Sequence, residues 1–87
     1  MNKHHLAAIT ILVKNRHAQA PDVNKILTAH GDMIIARLGV NVQKHCVEHC
    51  MAMITIVVEE TVKEIGALTE KLDEIYGIVA KVNIMTE

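Results

Sequence analysis

The sequence holds no tryptophan, no phenylalanine and a single tyrosine, Tyr76. A domain that stacks nucleic-acid bases on aromatic rings therefore lacks its platform. There are two cysteines in 87 residues, too few for the disulfide framework of a small secreted domain, so reduced thiols in a cytoplasmic setting are expected. No uncharged apolar run approaches the ~18 residues a membrane-spanning helix requires. The apolar stretch 6–13 is short and lacks a small-residue cleavage site, which makes a signal peptide a poor fit. Net charge is −1, so no whole-chain field draws the protein to DNA or acidic lipid, and direct nucleic-acid binding is not expected.

Half of the chain (51%) is apolar, which excludes disorder. The length suits one domain spanning 1–87. At 9.6 kDa, surface scaling gives roughly 63% of the unfolded surface buried, a sufficient but modest core. That core must come from Ile, Val, Leu, Met and Ala. The near-zero charge conceals two unlike halves. Residues 1–45 carry Lys3, Lys14, Arg16, Lys25, Arg37 and Lys44 against Asp22 and Asp32, while Lys63, Lys71 and Lys81 of the second half face eight acids.

Residues 6–13 are rich in β-branched side chains and read as a buried strand. A polar turn at 14–17 follows. Pro21 suits a first helical position, with Asp22 close behind at the positive end of the helix dipole. Val23, Ile26, Leu27 and His30 fall on one helical face, and Gly31 can end that helix in a left-handed conformation. Residues 33–42 and 50–58 are strand-like, and their polar connection suggests an antiparallel hairpin. Thr61 and Glu64 form a capping-box pattern ahead of a helix with Val62, Ile65, Leu68, Leu72 and Ile75 on its apolar face. Gly77 breaks it, and 78–85 is the last strand.

The order β-α-β-β-α-β, with right-handed crossovers, gives an α+β ferredoxin-like plait, four antiparallel strands with both helices on one face. The third strand is apolar on both sides. Met51, Met53 and Val57 alternate with Ala52, Ile54, Ile56 and Val58. A two-sided apolar central strand implies that the second sheet face is also covered, most simply by another copy of the chain, so a homo-oligomer (dimer or tetramer) is expected.

Arg37-Leu-Gly-Val40, the strand Ile54-Thr-Ile-Val-Val58, the helix Ile65-Gly-Ala-Leu-Thr-Glu-Lys-Leu72 and the closing Gly77-Ile-Val-Ala-Lys-Val82 resemble the iron-only hydrogenase system regulator family. The resemblance spans about residues 6–84. It implies an ACT-like plait, similar to the regulatory domain of the nickel-responsive repressor, acting as a homo-oligomeric regulatory or sensing module without enzyme activity and open to a small-molecule effector. Arg37, Gly39, Gly66, Ala67 and Thr69 are the ligand or interface residues it points to. Gly66 also has a physical reading: mid-helix glycine costs about 1 kcal/mol relative to alanine, which suits close packing at that point.

The chain departs from the family in the connection between the second and third strands, where His45-Cys46-Val-Glu-His49-Cys50 stands. Four ligands for zinc, nickel or copper lie within six residues. In a strand, residues four apart are about 13 Å from one another; in a helix the His pair and the Cys pair diverge by about 100°. Neither conformation closes a four-ligand site from one chain. A zinc or nickel site would use two or three of them, completed by another segment or subunit. The competing readings are a solvated hairpin tip and a Cys46–Cys50 redox pair. His4 and His5 read as a frayed terminus.

Nothing points to catalysis. Glu59 and Glu60 are adjacent and read as acids at a helix entrance, and no phosphate loop or nucleophile elbow is present. Any Cys–His pair from 45–50 would sit on an exposed tip without an orienting group. The loop after the first strand has no Cys-x-x-Cys, which separates the chain from copper chaperones of the same fold.

Overall fold

The structure is a computed structural model that describes residues 3–42 and 50–86. β1 (His4–Val13), α1 (Arg16–Ala29), a 3₁₀ turn (Gly31–Met33), β2 (Ile34–Asn41), β3 (Ala52–Thr61), α2 (Val62–Asp73) and β4 (Ile78–Ile84) follow in order. The sheet order is β2-β3-β1-β4 with all pairings antiparallel. The expected plait is what the chain forms.

Period-two alternation divides the sheet into two faces. Ala7, Ile9, Ile11 and Val13 of β1 and Ile54, Ile56 and Val58 of β3 are buried beneath the helices. Register places Ile9 beside Ile56 and Val82, and Ile11 beside Ile54 and Ala80. Val23 and Leu27 of α1 and Ile65, Leu68 and Leu72 of α2 close this core from above. No polar or charged residue is buried among the described residues. The core is aliphatic, as the missing rings require.

Several boundaries differ from expectation. α1 begins at Arg16, not at Pro21, which lies inside the helix. The Asn15 carbonyl accepts the Ala18 and Gln19 amides at 3.2 and 3.0 Å, and the Gln19 side chain accepts the Asn15 amide at 3.0 Å. These bonds satisfy the first turn before the proline, whose missing donor falls further along. The helix does not end on a left-handed Gly31. His30 caps it, and the Met33 amide donates to the His30 carbonyl at 3.1 Å to close the 3₁₀ turn.

Gly77, with φ of 81°, is the glycine held at positive φ among the described residues. β3 runs on to Thr61, so Glu59 and Glu60 are strand residues rather than a helix entrance. His4 and His5 are likewise ordered in β1: His4 Nε2 meets Glu60 at 3.1 Å, and His5 Nδ1 lies 2.6 Å from the Thr86 carbonyl. Thr61 caps α2 as expected, accepting the Glu64 amide at 3.2 Å.

Candidate functional site

The face of the sheet opposite the helices is where the structure leaves most apolar surface uncovered. Pairing aligns Leu38 with Thr55, Val40 with Met53, and Ala36 with Val57 on this side. β1 adds Leu6, Ala8, Thr10 and Leu12 to the same face, and β4 adds Val79, Lys81 and Asn83. Leu38 is 66% exposed, Val40 46%, Met53 40% and Val57 38%. The sequence had placed Met53 and Val57 together on one face of β3, and that face is the open one. The charges on the face, Glu59 and Lys81, sit toward its margins, so its centre is neutral and apolar.

Two grooves accompany the helices. One, of about 620 Å³, lies between α2 and β4 and is lined by Lys63, Gly66, Ala67, Thr69, Glu70 and Val82 among others. The other, of about 430 Å³, runs between the helices past Lys25, Ile26, Ala29, His30 and Lys71. There Lys71 Nζ lies 3.2 Å from His30 Nε2, an arrangement that isolated strand and helix patterns do not reveal.

The five residues indicated by family resemblance do not form one site. Gly66, Ala67 and Thr69 share the α2/β4 groove. Arg37 and Gly39 lie on β2, the opposite edge of the sheet. The Arg37 guanidinium donates to the Asn24 side chain of α1. A side chain added at Gly39 would meet Ile54 at 3.9 Å, an ordinary contact. The Thr69 hydroxyl is used within its own helix, donating to the Ile65 carbonyl at 2.8 Å. Close packing does not account for Gly66 within one chain, because a Cβ there meets nothing within 4 Å.

His45, Cys46 and His49 lie outside the described residues. Cys50 is fully buried and disulfide-bonded, where the cysteine count had pointed to reduced thiols; the bond's other half is outside the described residues. In that state Cys50 supplies no thiolate to a metal. Both flanks of this segment are tied to the fold, since the Arg16 amide donates to the Cys50 carbonyl at 2.8 Å and the Val42 amide to the Met51 carbonyl at 3.2 Å. No group of three or more His, Cys, Asp or Glu suited to a metal occurs among the described residues. Arg16 Nη1 is buried without a hydrogen-bond partner among the described residues, a feature that the sequence did not signal. No helix among the described residues is long and apolar enough to cross a membrane.

Residues 5–82 match the TM1266-like family, described as a proposed iron-only hydrogenase system regulator. No curated protein matches the chain. Among solved structures, an uncharacterised protein of Thermotoga maritima superposes with a TM-score of 0.86 at 28% identity, over 97% of this chain and 100% of that one. A proposed PII-like signalling protein of Thermus thermophilus gives 0.69 at 13% identity, over 98% and 91% of the two chains. The ACT domain of a GTP pyrophosphokinase from Chlorobium tepidum gives 0.63 at 14% identity, over 97% and 89%.

Proposed function

The chain belongs to the TM1266-like family, and from that premise we propose that it is a small non-enzymatic regulatory module of an iron-only hydrogenase system, working as a homo-oligomer. The ACT and PII-like likenesses support the fold of such a module. The observation that carries the oligomeric reading is the uncovered sheet face. Leu38, Val40, Met53 and Val57 form a contiguous apolar surface on the side away from the helices. Monomers seldom leave such a patch in water.

A second copy suits this face better than an unrelated partner. The face is neutral at its centre and flanked by one acid and one base, Glu59 and Lys81, so two copies related by a dyad present matching surfaces to each other. A four-stranded face of this kind measures about 20 Å on each side. Its buried centre would be depleted of charge, as the cores of homodimer interfaces are. Regulation then operates through the relative placement of copies, with a small-molecule effector as the input. Zinc or nickel binding would draw on residues 45–49, since the disulfide removes Cys50 as a ligand, and the described part of the chain adds no donor set to it.

The test joins mass to function. By sedimentation equilibrium the wild type should be heavier than the 9.6 kDa chain, and Leu38→Glu, which places a charge on the face, should halve that mass. In cells lacking the gene, hydrogenase level should change and should be restored by the wild type but not by Leu38→Glu. A wild type that sediments as a single chain at tens of micromolar, or a hydrogenase level indifferent to the gene, would refute the proposal.

A further inference from the structure

We infer that the chain carries a second self-association surface, separate from the open sheet face: the outer edge of β4 together with the groove face of α2, and that its occupant is the same surface of another copy.

The backbone of β4 leaves one edge to be filled. The Met85 amide donates to the Leu6 carbonyl at 2.8 Å, so by alternation Val79, Lys81 and Asn83 turn their amides and carbonyls to β1. Ala80, Val82 and Ile84 turn theirs outward, where the sheet has no further strand. The Ala80 amide is satisfied within the chain, donating to Asp73 Oδ1 at 3.0 Å. Among the described residues, Val82 and Ile84 have no such partner. An exposed edge of this kind is a template for another strand.

The helix beside that edge is self-complementary. Lys63, Gly66, Ala67 and Glu70 stand at i, i+3, i+4 and i+7, one face of α2, and all four line the groove with Val82. Lys63 and Glu70 are equidistant from the midpoint between Gly66 and Ala67. Two copies of α2 laid antiparallel about a dyad through that midpoint bring Lys63 of each onto Glu70 of the other. Gly66 then meets Ala67 at the crossing, where small side chains permit close approach. This accounts for a mid-helix glycine at which a Cβ would meet nothing within 4 Å among the described residues.

The strands agree with the same dyad. Antiparallel pairing centred on Val82 sets Lys81 opposite Asn83 of the second copy, and Ala80 opposite Ile84, so no like charges face each other. α2 packs on β4 and to a lesser degree on β1 and β3, so its axis lies inward of β4. With the axis about half a strand spacing inward on each copy, a strand spacing of about 4.8 Å leaves the two α2 axes roughly 10 Å apart, which is the spacing of packed helices. Both helices stay on one side of a continuous eight-stranded sheet. The dyad is perpendicular to the sheet, while a dyad relating two open faces lies parallel to it. Where the two dyads intersect, the two contacts together close a tetramer of dihedral symmetry.

Charge exchange tests this without touching the core, because Lys63 and Glu70 are exposed. Lys63→Glu and Glu70→Lys, each alone, place like charges together twice per dyad. Each should halve the mass seen by sedimentation equilibrium at 50 mM salt while leaving the far-ultraviolet circular dichroism unchanged. The double exchange should restore the mass. Joined with Leu38→Glu, Lys63→Glu should leave a 9.6 kDa monomer. If neither single exchange alters the mass, or if the double variant fails to recover it, the proposed contact does not exist. Failure of the open-face contact has a different signature: Leu38→Glu then changes nothing, whereas Lys63→Glu alone yields the monomer.

Discussion

Gly77→Ala should be among the most damaging small substitutions in this protein, and its effect can be divided into two parts. Gly77 adopts φ of 81°, a region where an alanine is destabilised by about 1–2 kcal/mol. A Cβ at this position would also stand 1.9 Å from the Gln19 side-chain nitrogen. Gln19 can swing away, but it now donates to the Tyr76 carbonyl at 2.7 Å and accepts the Asn15 amide at 3.0 Å. Losing both bonds costs about 1–2 kcal/mol at the usual net value of a hydrogen bond. The sum is about 3 kcal/mol, or a fall in Tm of roughly 12–24 °C for a domain of this size.

Gln19→Ala alone forfeits only the bonds and should cost about 1–2 kcal/mol. In the Gln19→Ala background, Gly77→Ala meets no clash and should add only the backbone part. The double variant should therefore be nearly as stable as Gly77→Ala, with a coupling of about 1–2 kcal/mol in a double-mutant cycle. Urea unfolding followed by circular dichroism measures all four corners. Strict additivity, or a loss below about 0.5 kcal/mol for Gly77→Ala, would refute the account of Gly77 as the glycine on which the β1–α1 and α2–β4 turns interlock.

Two further outcomes are expected. Thr61→Ala removes the side-chain cap of α2 and should lower stability by about 1 kcal/mol, with Thr61→Ser recovering most of it in thermal melts. Arg16→Met replaces a side chain whose Nη1 is buried and has no hydrogen-bond partner among the described residues. Because it takes away an unsatisfied donor and keeps the aliphatic stem, stability should hold or rise by up to about 1 kcal/mol; a loss of more than about 1 kcal/mol in urea would reveal a partner for that guanidinium.

The architecture was largely readable because its signals are local and periodic. Alternation in β3 marked two apolar faces, and Thr61 with Glu64 marked the start of α2 to the residue. The start of α1 was misplaced for an instructive reason. Pro21 is a stronger signal than Asn15, yet Gln19 of the first turn reaches back to the Asn15 amide, a contact that residue identity alone does not announce. Gly31 and Gly77 look alike in sequence, but only Gly77 adopts the left-handed region. The candidate site was half legible. Gly66, Ala67 and Thr69 fell together because they share one helix, while Arg37 and Gly39 were set on the far edge by strand order, which a linear motif does not encode. The helix stripe Lys63, Gly66, Ala67 and Glu70 gains meaning only when β4 is seen beside it.

β1 occupies an interior position of the sheet although it is the first element of the domain, and its two neighbours, β3 and β4, come last among the strands. On the ribosome, about 65 residues separate the end of β1 from the start of β4, so at 5–20 residues per second roughly 3–13 s pass before β1 has both partners. Through that interval its apolar residues have no complete sheet to join. Pairing over such separations raises the contact order and slows folding. Emergence of β4, rather than of any one helix, therefore sets when this domain can complete its sheet.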